Sequence, residues 1–443
     1  MWFKMLLPCP AISECGSNFT TFATMDLKSR LSSDFLKHVV TLVLGTGLAQ
    51  VINFCGIMAL ARIYDPEEYM LFTLFSSVAM IITSIACLRY EFAIPLPAQD
   101  KDARRIVVLA TYILIAICVL SLLTIIGWHL VRSINGKSFH IVLYLVPLYV
   151  VFAGGTQIFN YWSTRMGTFR RNFISRVLAA AATVGFSIVF GLVTGNSLGL
   201  VLGAILGQFV SWVVLGWNSF PVLRSAYAEE TRAGLFELAK SYKKFPLYNA
   251  PNAVFDAFQD YGVVFVMNYY FAPEVSSLYF QSYRLLGAPL GLIGAAIYQV
   301  FYPKMARNFA DSRNVRKELL RIYGVLLVLA APVFLTLFLF TDEIIYTLLG
   351  EKWMAAAAIM KVLIPWMFLN FLISPISGIT LVTGKQKQSF FFSITGFIMK
   401  FVSLIIGGLY GSYYLGFVCL SASSSCLMIA GIVWYWYIAK SSE

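Results

Sequence analysis

Runs of about 20 or more apolar residues recur along this chain from near residue 38 to near residue 439, and they leave few architectures open. A run of that length crosses about 30 Å of hydrocarbon at about 1.5 Å per residue when it is helical. Transmembrane β-strands are about half as long and alternate in polarity, which these runs do not. Composition agrees: 59% of residues are apolar, 12% are charged and the mean hydropathy is +0.77. Soluble domains carry about a quarter charged residues. The fold class that follows is an all-α integral membrane protein.

The spans fall at 38–62, 69–96, 106–130, 139–163, 173–194, 197–219, 245–271, 275–303, 318–341, 356–382, 387–410 and 412–439, six in each half. The halves resemble one another. A shift of 207 positions lays Tyr64, Pro66, Glu67, Leu71 and Phe72 over Phe271, Pro273, Glu274, Leu278 and Tyr279. Each half thus opens with an apolar hairpin whose polar tip begins near a Pro-Glu pair. Six spans return the chain to its starting side, so the repeats are parallel, related by an axis along the membrane normal, with a central cavity between them. The boundaries read as an extension or upstream start at 1–24, an N-terminal lobe at 25–219, a cytoplasmic linker at 220–244 and a C-terminal lobe at 245–443. Residues 1–24 resemble neither a signal peptide nor a span, and Met25 opens the charged approach to the first span.

The net charge of +12 is explained by its placement. With the N-terminus inside, the inner segments carry 24 Lys and Arg residues, from Lys28 to Lys440, and the outer turns carry only Arg62, Arg132, Lys137 and Lys352. That asymmetry sets both termini inside under the positive-inside rule. It makes the basic balance a topology signal, with anionic membrane lipids as partners and no nucleic acid. Gly199, Gly203 and Gly207 form a small-residue stripe suited to close helix packing.

Soluble-type chemistry finds no support. Cys55, Cys87, Cys118, Cys419 and Cys426 sit in apolar runs without metal-ligand spacing, and His38, His129 and His140 are scattered. Gly378 to Gly384-Lys385 has five intervening residues where a phosphate-binding loop has four, and no Ser or Thr follows. The expectation is a non-enzyme with no cofactor.

Charges within lipid are costly and usually face a partner or a wet cavity. They are Arg89, Glu91, Asp256, Asp260, Arg284, Lys361 and Lys400. Asp256 and Asp260 share one helix face. Asp260 and Arg284 lie about 16 and 14 Å from the outer end of their spans, so the two are expected to meet. Such a pair reads either as a coupling-ion site beside a substrate contact or as an ion pair pinning a hairpin. Arg284, Lys400 and Arg89 are the candidates for a cationic cavity that takes an anionic headgroup. Lys361 is a further candidate, close enough to the outer surface to snorkel.

Several stretches resemble one family, the polysaccharide biosynthesis exporters or O-antigen flippases of the multidrug/oligosaccharidyl-lipid/polysaccharide superfamily. Ala61-Arg62-Ile63-Tyr64-Asp65-Pro66-Glu67-Glu68-Tyr69 is similar to its first external turn, and Leu88-Arg89-Tyr90-Glu91-Phe92-Ala93-Ile94 to the end of its second helix. Ala296 to Lys304, Gly350-Glu351-Lys352-Trp353 and Thr383-Gly384-Lys385-Gln386-Lys387 follow in the family's order. Met70 departs from the glycine common there. The resemblance implies a flippase that moves an undecaprenyl-pyrophosphate-linked oligosaccharide, such as a lipopolysaccharide O-antigen unit, from the inner to the outer leaflet of the bacterial cytoplasmic membrane. The sequence leaves the energy source open among H+, Na+ and the pull of a downstream polymerase or ligase. The alternatives are a flippase for another lipid-linked precursor, of peptidoglycan or teichoic type, and a cation-coupled drug exporter. The latter's cationic substrates would favour an acidic cavity.

Overall fold

A computed structural model describes residues 33–134, 141–217, 219, 232–287, 294, 305, 315–383 and 385–439. The extension 1–24, linker residues 220–231, the 296–304 stretch and His140 lie outside the described residues, as do most positions of the eighth span after 287.

The N-terminal half runs α1 (Ser33–Ile63), α2 (Pro66–Ile85), α3 (Asp100–Ile134), α4 (Val146–Arg165), α5 (Phe169–Thr194) and α6 (Leu198–Gly216). The short amphipathic α7 (Arg232–Ser241) follows. The second half begins with α8 (Ala250–Tyr261), α9 (Val263–Tyr270) and α10 (273–287). It ends with α11 (Val315–Leu339), α12 (Thr341–Leu348), α13 (Ala355–Ile373), α14 (Gln386–Leu409) and α15 (Tyr413–Ile438). Among the described residues ten helices are long and apolar enough to cross a membrane. With α8–α9 and α10 the set accords with twelve spans, and the protein is a multi-pass membrane protein.

Local chemistry explains the breaks. Asp65 is extended and caps α2, its backbone N–H donates to Glu68 Oε2 at 2.9 Å, and Pro66 at the first helical turn costs no hydrogen bond. The second span does not run to residue 96 as the hydropathy suggests. It stops at Ile85, because Leu88 and Arg89 take left-handed backbone angles (φ 46° and 65°) before a 3-10 turn over Tyr90–Ala93. The seventh span is likewise no single helix. It opens with a π-turn at Phe245–Asn249, where Pro246 removes a donor, and α8 gives way to α9 at Gly262.

The glycine stripe of α6 packs as its spacing suggests. A Cβ at Gly203 would strike Ser187 Oγ, and one at Gly207 would strike Thr183 Oγ1, both on α5. Only hydrogen at these positions lets the two backbones approach.

Among the described residues two clusters make the core. One fills the N-terminal half around Phe75, Ile106, Val150 and Ile158. The other fills the C-terminal half and also takes in Ile57, Leu60, Ala61, Tyr64 and Tyr69 from the α1–α2 tip. The first hairpin therefore reaches into the packing of the second half at one end of the molecule.

Candidate functional site

At that end the family-like turn Arg62–Tyr69 and the Gly350–Trp353 motif are a single contact surface. Trp353 Nε1 donates to the Ala61 carbonyl at 2.8 Å, Arg62 donates to the Thr347 carbonyl at 2.6 Å, and Lys352 Nζ lies 2.6 Å from Asp65 Oδ1. The two repeated hairpin tips also touch, Ser277 Oγ donating to the Pro66 carbonyl at 2.6 Å. Tyr64, Tyr69 and Trp353 are 1%, 2% and 0% exposed, and Tyr69 meets Trp353 edge-on at 5.1 Å. The end of the molecule that the charge bias assigns to the outside is sealed by packed aromatic rings.

Behind the seal two adjoining cavities lie between the halves. The larger, about 650 Å³, is lined by Gln50, Asn53, Tyr149, Arg176, Gln208, Asp260, Tyr261 and Arg284 among others. The smaller, about 480 Å³, shares Gln50, Asn53, Tyr283 and Arg284 and adds Phe54, Ile57, Met367, Asn370 and Phe371. Arg284 stands at their junction, its guanidinium 5.9 Å from the Phe280 ring centre.

The helices turn these residues inward by period. On α1 the lining positions are Thr46, Ala49, Gln50, Asn53, Phe54 and Ile57, the spacing of one helical face. On α5 they are Arg176, Ala179, Ala180 and Thr183, again one face. Arg176 donates to Thr46 Oγ1 at 2.6 Å across the two helices.

The expected site residues divide. Arg284 and Asp260 line the larger cavity, but no ion pair joins them among the described residues. Asp260 lies within electrostatic reach of Lys400, and among the described residues no ion pair joins Asp260 to either Lys400 or Arg284. Lys400 also sits over the Trp366 ring, Nζ 5.1 Å from its centre, and lines neither cavity. Asp256, one turn before Asp260, lies in the electrostatic reach of Asp260 and Arg89. Arg89 lines neither cavity; it lies 3.8 Å from Glu91 Oε1 and 5.1 Å from the Phe92 ring centre. Lys361 also points elsewhere, its Nζ 2.6 Å from Asp342 Oδ2 in a partly exposed pair.

Sequence reading missed Arg176, which it placed among the inner-loop charges, and the amides Gln50, Asn53, Gln208 and Asn370. Their signal was present as polar side chains at helical spacing, Thr46, Gln50 and Asn53 on α1 above all. A cavity that combines aromatic faces, amides, hydroxyls, two arginines and the single carboxylate of Asp260 carries a net positive wall among the described residues, which suits a polar, anionic ligand. Among the described residues no group of His, Cys, Asp or Glu is placed to hold a metal.

The fold is shared with solved transporters. The inward-facing conformation of a multidrug resistance MATE family transporter of the MOP superfamily matches with a TM-score of 0.69 at 13% identity, over 89% of this chain and 95% of that one. The lipid II flippase MurJ in an inward closed conformation matches with a TM-score of 0.68 at 13% identity, over 91% and 88%. In sequence, the teichuronic acid biosynthesis protein TuaB of Bacillus subtilis (strain 168) is 26% identical over 118 residues, a match spanning 27% of this chain and 24% of that relative. Residues 59–358 match the family described as polysaccharide biosynthesis protein, and with two thirds of its length inside that match the chain belongs to this family.

Proposed function

We propose that this protein is a flippase that carries an undecaprenyl-pyrophosphate-linked oligosaccharide from the inner to the outer leaflet of the bacterial cytoplasmic membrane by alternating access. The observation that carries the reading is the position of Arg284, at the junction of two adjoining cavities that each mix amides with apolar and aromatic side chains, behind a packed outer end. A lipid-linked sugar presents an anionic diphosphate between a glycan and a prenyl chain. Its diphosphate takes the bidentate guanidinium, and its sugar hydroxyls meet the amides that line the two cavities, Gln50, Asn53, Gln208 and Asn370. The family membership and the flippase fold support this reading, and the name of the teichuronic acid relative suits it. An exporter of cationic drugs fits less well, because two arginines and one carboxylate, Asp260, are among the described residues lining the cavity.

In this reading the lobes 25–219 and 245–443 move about the linker 220–244. Tyr90 holds the described part of that linker through a 3.0 Å hydrogen bond to the Ala239 carbonyl. Asp260 beside Lys400 is the acidic element on which coupling to H+ or Na+ would act. A downstream polymerase or ligase receives the product.

Deleting the gene and identifying the lipid-linked sugar that accumulates tests the proposal. An undecaprenyl-diphosphate oligosaccharide held on the inner leaflet is the expected result. Accumulation of no such lipid, with surface glycan unchanged, would overturn it.

A further inference from the structure

At the inner edge of the aromatic seal a polar side chain is buried without its hydrogen bonds. Gln281 of α10 is 1% exposed, and among the described residues neither its Nε2 nor its Oε1 has a hydrogen-bond partner. The Tyr69 hydroxyl of α2, in a residue 2% exposed, is unpaired in the same sense. The two are neighbours. Ser277 Oγ ties the helix tips together through the Pro66 carbonyl, and one turn further in Tyr69 comes within reach of Gln281 and Arg284. Even the Tyr69 hydroxyl, which approaches the amide, can satisfy only one of its hydrogen-bonding groups. A buried amide left unpaired costs more than a hydrophobe of similar size would, and the same stretch of α10 supplies Leu278, Leu285 and Leu286 to the core. Gln281 is a misfit in the closed outer end.

We propose that this misfit is what lets the outer end open: the Gln281 amide, with the Tyr69 hydroxyl, destabilises the closed seam between α2 and α10 and gains its missing hydrogen bonds from water when the seam parts. The proposal rests on the alternating access of the flippase reading above, and adds where the outer end yields and why. Two opposed terms act in one layer. The Tyr69 ring packs edge-on against Trp353 at 5.1 Å, which favours closure. The hydroxyl of the same residue and the amide beside it favour opening, because water is the partner they lack. An apolar residue at position 281 leaves only the closing term, and the population shifts toward the closed state.

The test uses the full-length protein in intact cells, with a cysteine at Asn53 inside the cavity and a membrane-impermeant thiol reagent applied from outside. Labelling is corrected for the same protein without that cysteine, and its rate reports the fraction of molecules open to the outside. Gln281→Leu is expected to slow labelling about tenfold, the scale of one buried polar group relieved of its unpaired state. Tyr69→Phe, which removes one oxygen and keeps the ring on Trp353, should slow it by a smaller factor. Were Gln281 a contact that holds the outer end closed, both variants would label faster. Faster or unchanged labelling of Gln281→Leu overturns the proposal and leaves the flippase reading standing; if that variant fails to accumulate, Tyr69→Phe decides by the same criterion. If the wild type with the Asn53 cysteine never labels from outside, the alternating-access reading itself fails and this inference fails with it.

Discussion

Trp353 donates its indole N–H to the Ala61 carbonyl at 2.8 Å across 292 positions of sequence, joining the end of α1 to the turn before α13. The same face carries the Lys352–Asp65 ion pair, both partners about half exposed. The magnitudes differ. An exposed pair contributes about 0–1 kcal/mol, whereas truncating a fully buried Trp costs about 3–5 kcal/mol. The ring, more than the ion pair, therefore holds this end shut.

Trp353→Ala is accordingly expected to open the outer end, and Lys352→Ala to change little. A cysteine introduced at Asn53, inside the cavity, reports the difference through labelling by a membrane-impermeant reagent from outside. Equal labelling in both variants would contradict the ranking.

Bridging Asp65→Cys and Lys352→Cys with a short reducible bifunctional thiol reagent should hold the outer end closed and stop surface-glycan export. Export should return on reduction. Continued export with the bridge in place, verified by mass spectrometry, would mean that the two segments need not separate during transport.

Arg284→Ala should abolish export while protein abundance stays near wild type, since Arg284 has no ion-pair partner among the described residues to be left unpaired. Arg284→Lys should be partly active, because the charge remains without the bidentate fork. Loss of abundance in both variants would assign the residue to folding instead.

For Asp260 and Lys400 the expectation is the opposite. The two lie within electrostatic reach of one another, and leaving one buried charge without its opposite costs about 3–5 kcal/mol, so Asp260→Asn and Lys400→Met should each lower abundance and the double variant should restore it. Export measured alongside separates folding from coupling. A double variant with normal abundance but no export assigns the pair a role in transport.

Topology has its own check. Cysteines at Pro66, Glu274 and Glu351 should label from outside in intact cells, and cysteines at Arg105 and Lys387 should not; the reverse pattern would invert the molecule.

Hydropathy along the chain was enough to place the helices, because burying a backbone in lipid demands long apolar helices whatever their neighbours. The distribution of Lys and Arg set the expected sides, and the polar turn at Asp65-Pro66 marked a real cap, since capping depends on a few adjacent residues. The face that α1 turns to the cavity was legible too, as Thr46, Gln50 and Asn53 at helical spacing. The choice among the charges was not. Lys361 found Asp342, Asp260 and Arg284 line one cavity without an ion pair between them, and Arg176 moved from the loop count to the cavity wall. Each outcome depends on the rotation of one helix about its axis and on which distant helix lies beside it. In lipid those are decided by close packing, such as Gly203 and Gly207 of α6 against α5, and not by apolarity, which is the same on every side of a helix.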